Sequence, residues 1–188
     1  MQGVVKGFAY RGRVIAATDA AYKKRVASFG YIVSDGRWAL ERHDYGERRL
    51  DPSGPSATLV AELRAVALLL ERPAPLPAVL LMRNRLAIRF LHAWQRGESD
   101  RMPGGYSLRQ RWDPDAPLPT LVRLSTLMVE HPGIWIEHVR GHKGHPLNEA
   151  ADALASLAMR GLPADETRSR AEGLAQTFLA QWHDQNRS

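Results

Sequence analysis

The sequence of 188 residues predicts an α/β fold, a mixed five-stranded sheet flanked by helices with an extra helix at its C-terminal end. Three observations carry this. Three β-rich runs follow one another closely near the start, and apolar runs of strand length then alternate with stretches of helical periodicity. The last stretch is a long amphipathic segment. A meander followed by crossovers gives antiparallel and then parallel pairing, hence three antiparallel strands continued by two parallel ones.

Taken in order, the strand-like runs are residues 14–18, 26–34 and 38–45, the last two separated by the turn Ser34-Asp35-Gly36. The Asp-Pro-Ser-Gly-Pro segment at 51–55 breaks regular structure. An Ala/Leu-rich helix then starts at Ser56 or Ala57 and runs to about Arg72, and Pro73, Pro75 and Pro77 end it. Residues 78–82 form a short apolar run suited to a buried central strand. Residues 85–96 read as a helix carrying Leu86, Ile88, Phe90, Leu91 and Trp94. Residues 97–119, rich in Gly, Pro, Arg and Asp, read as a loop excursion. Helical pattern resumes over 119–130, a strand over 134–139, and a helix over 146–159 closed by Gly161 and Pro163. A final helix over about 165–183 places Ala171, Leu174, Ala175, Phe178, Leu179 and Trp182 on one face. Residues 1–162 are thus expected to form the main domain and 163–188 a helical extension packed on it.

Composition narrows the function classes. A hydrophobic share of 44% and the absence of a low-complexity linker suit one globular unit with a real core. The 26 Lys and Arg against 20 Asp and Glu leave a net charge of +6, which favours an anionic partner. Without cysteine there is neither a disulfide framework nor thiolate metal ligation, which fits a reducing compartment. Residues 1–10 lack the apolar core of a secretory signal, and no apolar run approaches the ~20 residues that span a bilayer. The expectation is a cytoplasmic monomer with no membrane partner.

The most informative stretch is 139–152, Val-Arg-Gly-His-Lys-Gly-His-Pro-Leu-Asn-Glu-Ala-Ala-Asp. A β-rich run feeds a Gly/His turn, and the turn opens a helix with Pro146 near its first position. Such a helix start presents free N–H groups and a positive dipole end, so Asp152 and His142 are held close to wherever a phosphate would sit.

This stretch resembles the C-terminal signature of type 1 ribonuclease H, a family that cuts the RNA strand of RNA–DNA hybrids with four carboxylates and two divalent ions. The resemblance covers roughly residues 12–160, and the element order agrees with it. It implies metal ligation by Asp19 in Ile-Ala-Ala-Thr-Asp-Ala-Ala, at the end of the first strand; by Glu62 in Ala-Glu-Leu-Arg-Ala, on the first helix; and by Asp152. Read alone, Asp19 would be a turn residue capping a strand exit and Glu62 a solvated helix residue. The resemblance also implies proton transfer or product release by His142, with a weaker claim for His145, and structural roles for Asn148 and Glu149 at the helix start.

The fourth carboxylate is missing. Where the family carries Asp after the fourth strand, this chain reads Arg83-Asn84-Arg85, with Asn84 in the aspartate's place. An amide oxygen still ligates Mg²⁺, but without charge, so a cost of at least 10–100-fold is expected. Arg83 and Arg85 are either phosphate-binding groups, partial substitutes for a metal's charge, or solvated arginines at a turn. The Asp-Gly-Ser of the family is here Asp19-Ala20-Ala21. Its Trp-rich basic excursion is represented by Trp94, Arg96, Arg101, Arg109, Arg111 and Trp112, of which Trp94 is a candidate nucleic-acid contact.

The activity so implied is endonucleolytic hydrolysis of the RNA strand of a hybrid with two Mg²⁺ or Mn²⁺ ions, leaving 5′-phosphate and 3′-hydroxyl ends. Two rivals stand beside it. One is a binding module for hybrids or other nucleic acid that lost its chemistry with the aspartate. The other is a different nuclease or transposase of the same superfamily, which the Gly-His-x-Gly-His turn does not support.

Overall fold

In a computed structural model, residues 1–8, 12–44, 56–72, 74–106, 117–140 and 144–186 are described. The elements run β1 (Gln2–Val4), β2 (Ile15–Lys23), β3 (Val26–Val33), β4 (Arg37–Asp44), α1 (Ala57–Leu70), β5 (Val79–Met82), α2 (Arg85–Gln95), α3 (Thr120–Glu130), β6 (Trp135–His138), α4 (Pro146–Met159) and α5 (Ala164–Gln185). The sheet order is β1-β4-β3-β2-β5-β6. Pairing is antiparallel from β1 to β2 and parallel from β2 through β5 to β6. This is the mixed α/β class expected, with its additional C-terminal helix, and it agrees with the architecture that the resemblance implies.

Two expectations need correction. The sheet has six strands rather than five, because Gln2–Val4 joins the edge of β4. Nothing in three residues of Gln-Gly-Val alternates strongly enough to signal a strand. Tertiary partners recruit it: the terminal amine donates to the Leu40 carbonyl at 2.9 Å and the Val5 N–H to the Gly36 carbonyl at 3.0 Å. The first predicted strand is also longer than residues 14–18. It continues to Lys23 and turns directly into β3 through Lys24 and Arg25, whose φ angles of 48° and 65° are left-handed. Two-residue hairpin turns favour Asn and Gly at such positions, so Lys-Arg gives no turn signal. Asp19 therefore lies inside a strand, not at its end.

Two layers of helix cover the sheet. One face packs Ala16, Tyr31, Val33 and Leu80 against Leu59, Leu63 and Val66 of α1, with Leu91 and Trp94 of α2 and Leu121, Leu124 and Met128 of α3 beyond. The other face packs Ala17, Ile32, Leu40 and Leu81 against Leu147, Ala150, Ala151 and Leu154 of α4. The alternation of Ala16 and Ala17, and of Ile32 and Val33, between the two clusters is the period of a strand buried on both faces. Ala171, Ala175, Leu179 and Trp182 of α5 are buried in the same cluster as α4. Among the described residues no helix is long and apolar enough to cross a membrane.

Candidate active site

The sheet opens where β5 stops and β2 runs on. Parallel pairing of β2 with β5 ends at Ala17 with Leu81, while β2 remains paired with β3 through Lys23. This notch lies at the carboxyl end of β5, beside the strand where pairing changes from antiparallel to parallel, a place where α/β sheets commonly receive ligands. Asp19 projects from β2 just beyond the last parallel pair. Arg83 and Asn84 follow directly on β5.

Asp19 shares the strand parity of Ala17 and so belongs to the face that α4 covers. Its antiparallel partner is Gly30. A Cβ at Gly30 would stand 2.7 Å from the Ala155 nitrogen and 2.8 Å from the Ala151 carbonyl oxygen. Only glycine lets α4 lie this close, and the close approach brings the next α4 residue, Asp152, to Asp19. Gly30 was not singled out from the sequence; an isolated glycine within a strand pattern is the signal that marks such contacts.

The structure brings Asp19 and Asp152 to one guanidinium, with Glu62 within electrostatic reach of all three. Arg83 Nη1 stands 3.4 Å from Asp19 Oδ2 and 3.4 Å from Asp152 Oδ1. These distances are long for hydrogen bonds but within ion-pair reach. Asp19 is buried, and burial is the first reason its carboxyl is pushed up to about 7; a hydrogen bond with the Asp152 side chain adds to it, and Arg83 opposes it. Glu62, 6% exposed on α1, is pushed up to about 8, first by burial and next by the Asp19 charge, with Arg83 and a hydrogen bond from Asn84 acting in the opposite sense. Its Oε2 is buried without a hydrogen-bond partner among the described residues. A buried carboxylate oxygen with no donor is a costly feature that a bound cation would relieve.

Asn84 has a clear structural task. It is the N-cap of α2, and its Oδ1 accepts from the Leu86 and Ala87 N–H groups at 3.0 and 3.1 Å. Both lone pairs of the amide oxygen are thereby engaged. The expectation that this oxygen ligates a metal meets that competing use. As the side chains stand, no group of three or more His, Cys, Asp or Glu among the described residues encloses a cation. The Arg83 guanidinium lies between Asp19 and Asp152. The donor set nevertheless suits a hard divalent ion, being all oxygen and including the unpartnered Glu62 Oε2.

The other expected residues fare differently. Trp94 is fully buried in the core, with its indole N–H donating to the Arg101 carbonyl at 2.7 Å, which corrects its assignment as a nucleic-acid contact. Its helical spacing is that of a core residue. Arg85 is exposed at the first turn of α2. Arg96 and Arg101 both pair with Glu98, and Arg101 also stacks over Phe90. Arg109, Arg111, Trp112 and the histidine of the turn, His142, lie outside the described residues. Pro146 occupies the first turn of α4 as expected, after His145 at the N-cap. Burial lowers the His145 pKa.

The mixed sheet thus carries acidic side chains at the carboxyl end of a parallel strand. Comparison with known proteins finds a partial likeness. The chain is 35% identical to ribonuclease H of Nitratidesulfovibrio vulgaris strain DP4 over 89 residues, 45% of this chain and 49% of that protein. It matches ribonuclease H of the Hildenborough strain of the same species equally, over the same shares. The chain spans about half the length of the curated relatives it matches. No family model matches.

Proposed function

We propose that this protein is a divergent ribonuclease H that hydrolyses the RNA strand of RNA–DNA hybrids with a divalent cation, Mg²⁺ or Mn²⁺. The observation that supports this best is the meeting of Asp19 and Asp152, from β2 and α4, at Arg83, with Glu62 of α1 within electrostatic reach. Three elements remote in sequence each contribute an acid, and two of them, Asp19 and Glu62, occupy buried positions where an ordinary core would hold apolar groups. The partial likeness to two bacterial ribonucleases H supports the substrate class.

Asp19 and Glu62 would hold the cation, with Asp152 paired to Arg83 beside them. Bound there, the cation supplies activation of water and stabilisation of the leaving oxygen. Burial of Asp19 and Glu62 lets these two act strongly on it, because water screens them little. Arg85, exposed beside the site, binds backbone phosphate. His142 serves proton transfer or product release. The net charge of +6 draws the polyanion without base preference.

A second reading follows from Asn84 and Arg83. With the amide oxygen committed to a helix cap and a guanidinium among the acids, the chain would bind hybrids and cut them poorly or not at all. The test is to offer the protein an RNA–DNA hybrid, duplex RNA, single-stranded RNA and duplex DNA in Mg²⁺ and then in Mn²⁺. Cleavage confined to the RNA strand of the hybrid supports the enzyme. Tight hybrid binding without cleavage in either metal supports the module.

A further inference from the structure

The family that this site resembles carries two cations on four carboxylates, and the residues here do not fit two. We propose that the site takes a single divalent cation, with the Arg83 guanidinium standing permanently in place of the second. The inference rests on the reading of this cluster as a cation site, and deepens it.

Three observations converge on a count of one. The first is position: Arg83 Nη1 is equidistant, at 3.4 Å, from an oxygen of Asp19 and an oxygen of Asp152. A cation bridging those two acids would have to displace it. The second is charge. Once a bound ion has displaced their protons, three carboxylates against one guanidinium carry two negative charges, which one divalent ion balances. A second ion would leave an excess of positive charge in a place where Asp19 and Glu62 are 4% and 6% exposed, and uncompensated charge is costly in such a place. The third is donor supply. The Asn84 oxygen is spent on the Leu86 and Ala87 N–H groups, so it adds no ligand. What remains open is Glu62, whose Oε2 is more than nine-tenths buried with its residue and has no partner among the described residues. Glu62 with Asp19 is where the one ion belongs.

Arginine suits this part better than lysine. Its planar guanidinium stays charged at every working pH and can face two carboxylates at once. The partner acids come from β2 and α4, so Arg83 also ties the strand to the helix that covers it.

The test is a count of bound Mn²⁺ per chain on the substrate-free, full-length protein, by calorimetric titration and by electron paramagnetic resonance. The wild type should bind one ion, with no signature of a coupled Mn pair. The double variant Arg83→Ala/Asn84→Asp should bind two and show coupling. Arg83→Lys, which retains a charge, should stay at one. Two ions in the wild type, or none, would overturn the inference whatever the variants do. One ion in a double variant that keeps its fold by circular dichroism would also overturn it. The outcome separates from that of the proposed function. Hybrid cleavage with two ions bound removes this inference alone, and one bound ion without cleavage removes only the activity.

Discussion

Asp19 and Gly30 face each other across the β2–β3 ladder, the acid of the candidate site opposite the glycine on which α4 rests. The pairing couples packing to chemistry. Any side chain at Gly30 must push against the α4 backbone at Ala151 and Ala155, and Asp152 moves with it. Gly30→Ala should therefore cost about 1–3 kcal/mol of stability, the usual range for overpacking. Cleavage should fall about 100-fold, the scale of a misplacement near 1 Å. Thermal melting and hybrid-cleavage rates check both. A variant with wild-type rate and lowered melting temperature would show that α4 placement does not matter to the site.

Asn84 separates capping from ligation. Asn84→Ala loses the N-cap of α2 and should cost ~1 kcal/mol, which for a chain of this size is about 2–4 °C in melting temperature. Asn84→Asp keeps the capping acceptor, adds a favourable negative charge at a helix N-terminus and supplies a fourth carboxylate. It gives up the hydrogen bond that Asn84 donates to Glu62, so with the cation bound it should melt no lower than the wild type, and it should cleave at least ~10-fold faster. Loss of both stability and rate in the Asp variant would refute this account of position 84.

The buried acids predict an unusual pH dependence of stability. Glu62 has a folded-state pKa of about 8 against an ordinary 4.5, and Asp19 about 7 against 3.8. The folded protein thus binds more protons than the unfolded chain between those values. Their contribution is fully present below about pH 4 and is lost as pH rises through about 7 to 8. In chelator the melting temperature should fall from about pH 5 to about pH 9, and Glu62→Gln should flatten the slope. Cation binding should run the other way and tighten with pH, since the ion displaces protons. A Glu62→Gln variant with the wild-type pH slope would show that this carboxyl is not the group concerned.

Most of the architecture was legible because strand and helix periods differ and the Pro and Gly clusters fall between them. What escaped depends on contacts between distant residues. The strand Gln2–Val4 exists only through β4, and the Lys24-Arg25 turn lacks the residues that usually declare one. At the site, the three acids were visible through family likeness and not through composition. Trp94 looked like a nucleic-acid contact because aromatic residues near arginines suit both surfaces and cores; burial separates the two, and burial is not a local property. Arg83 was visible as an anomaly, and only its place between Asp19 and Asp152 gives it a role.

The most direct measurement is the rate at which the wild type and Asp19→Asn cut the RNA strand of an end-labelled hybrid in Mg²⁺ and in Mn²⁺. Asp19 touches Arg83 and Asp152 and sits nearest the notch, so the account predicts measurable cleavage by the wild type in at least one metal, with 5′-phosphate products. It predicts loss of about 100-fold or more in the variant, since an amide there removes a ligand charge outright. Equal rates for the two proteins, or a wild type inert on hybrid in both metals, would contradict it.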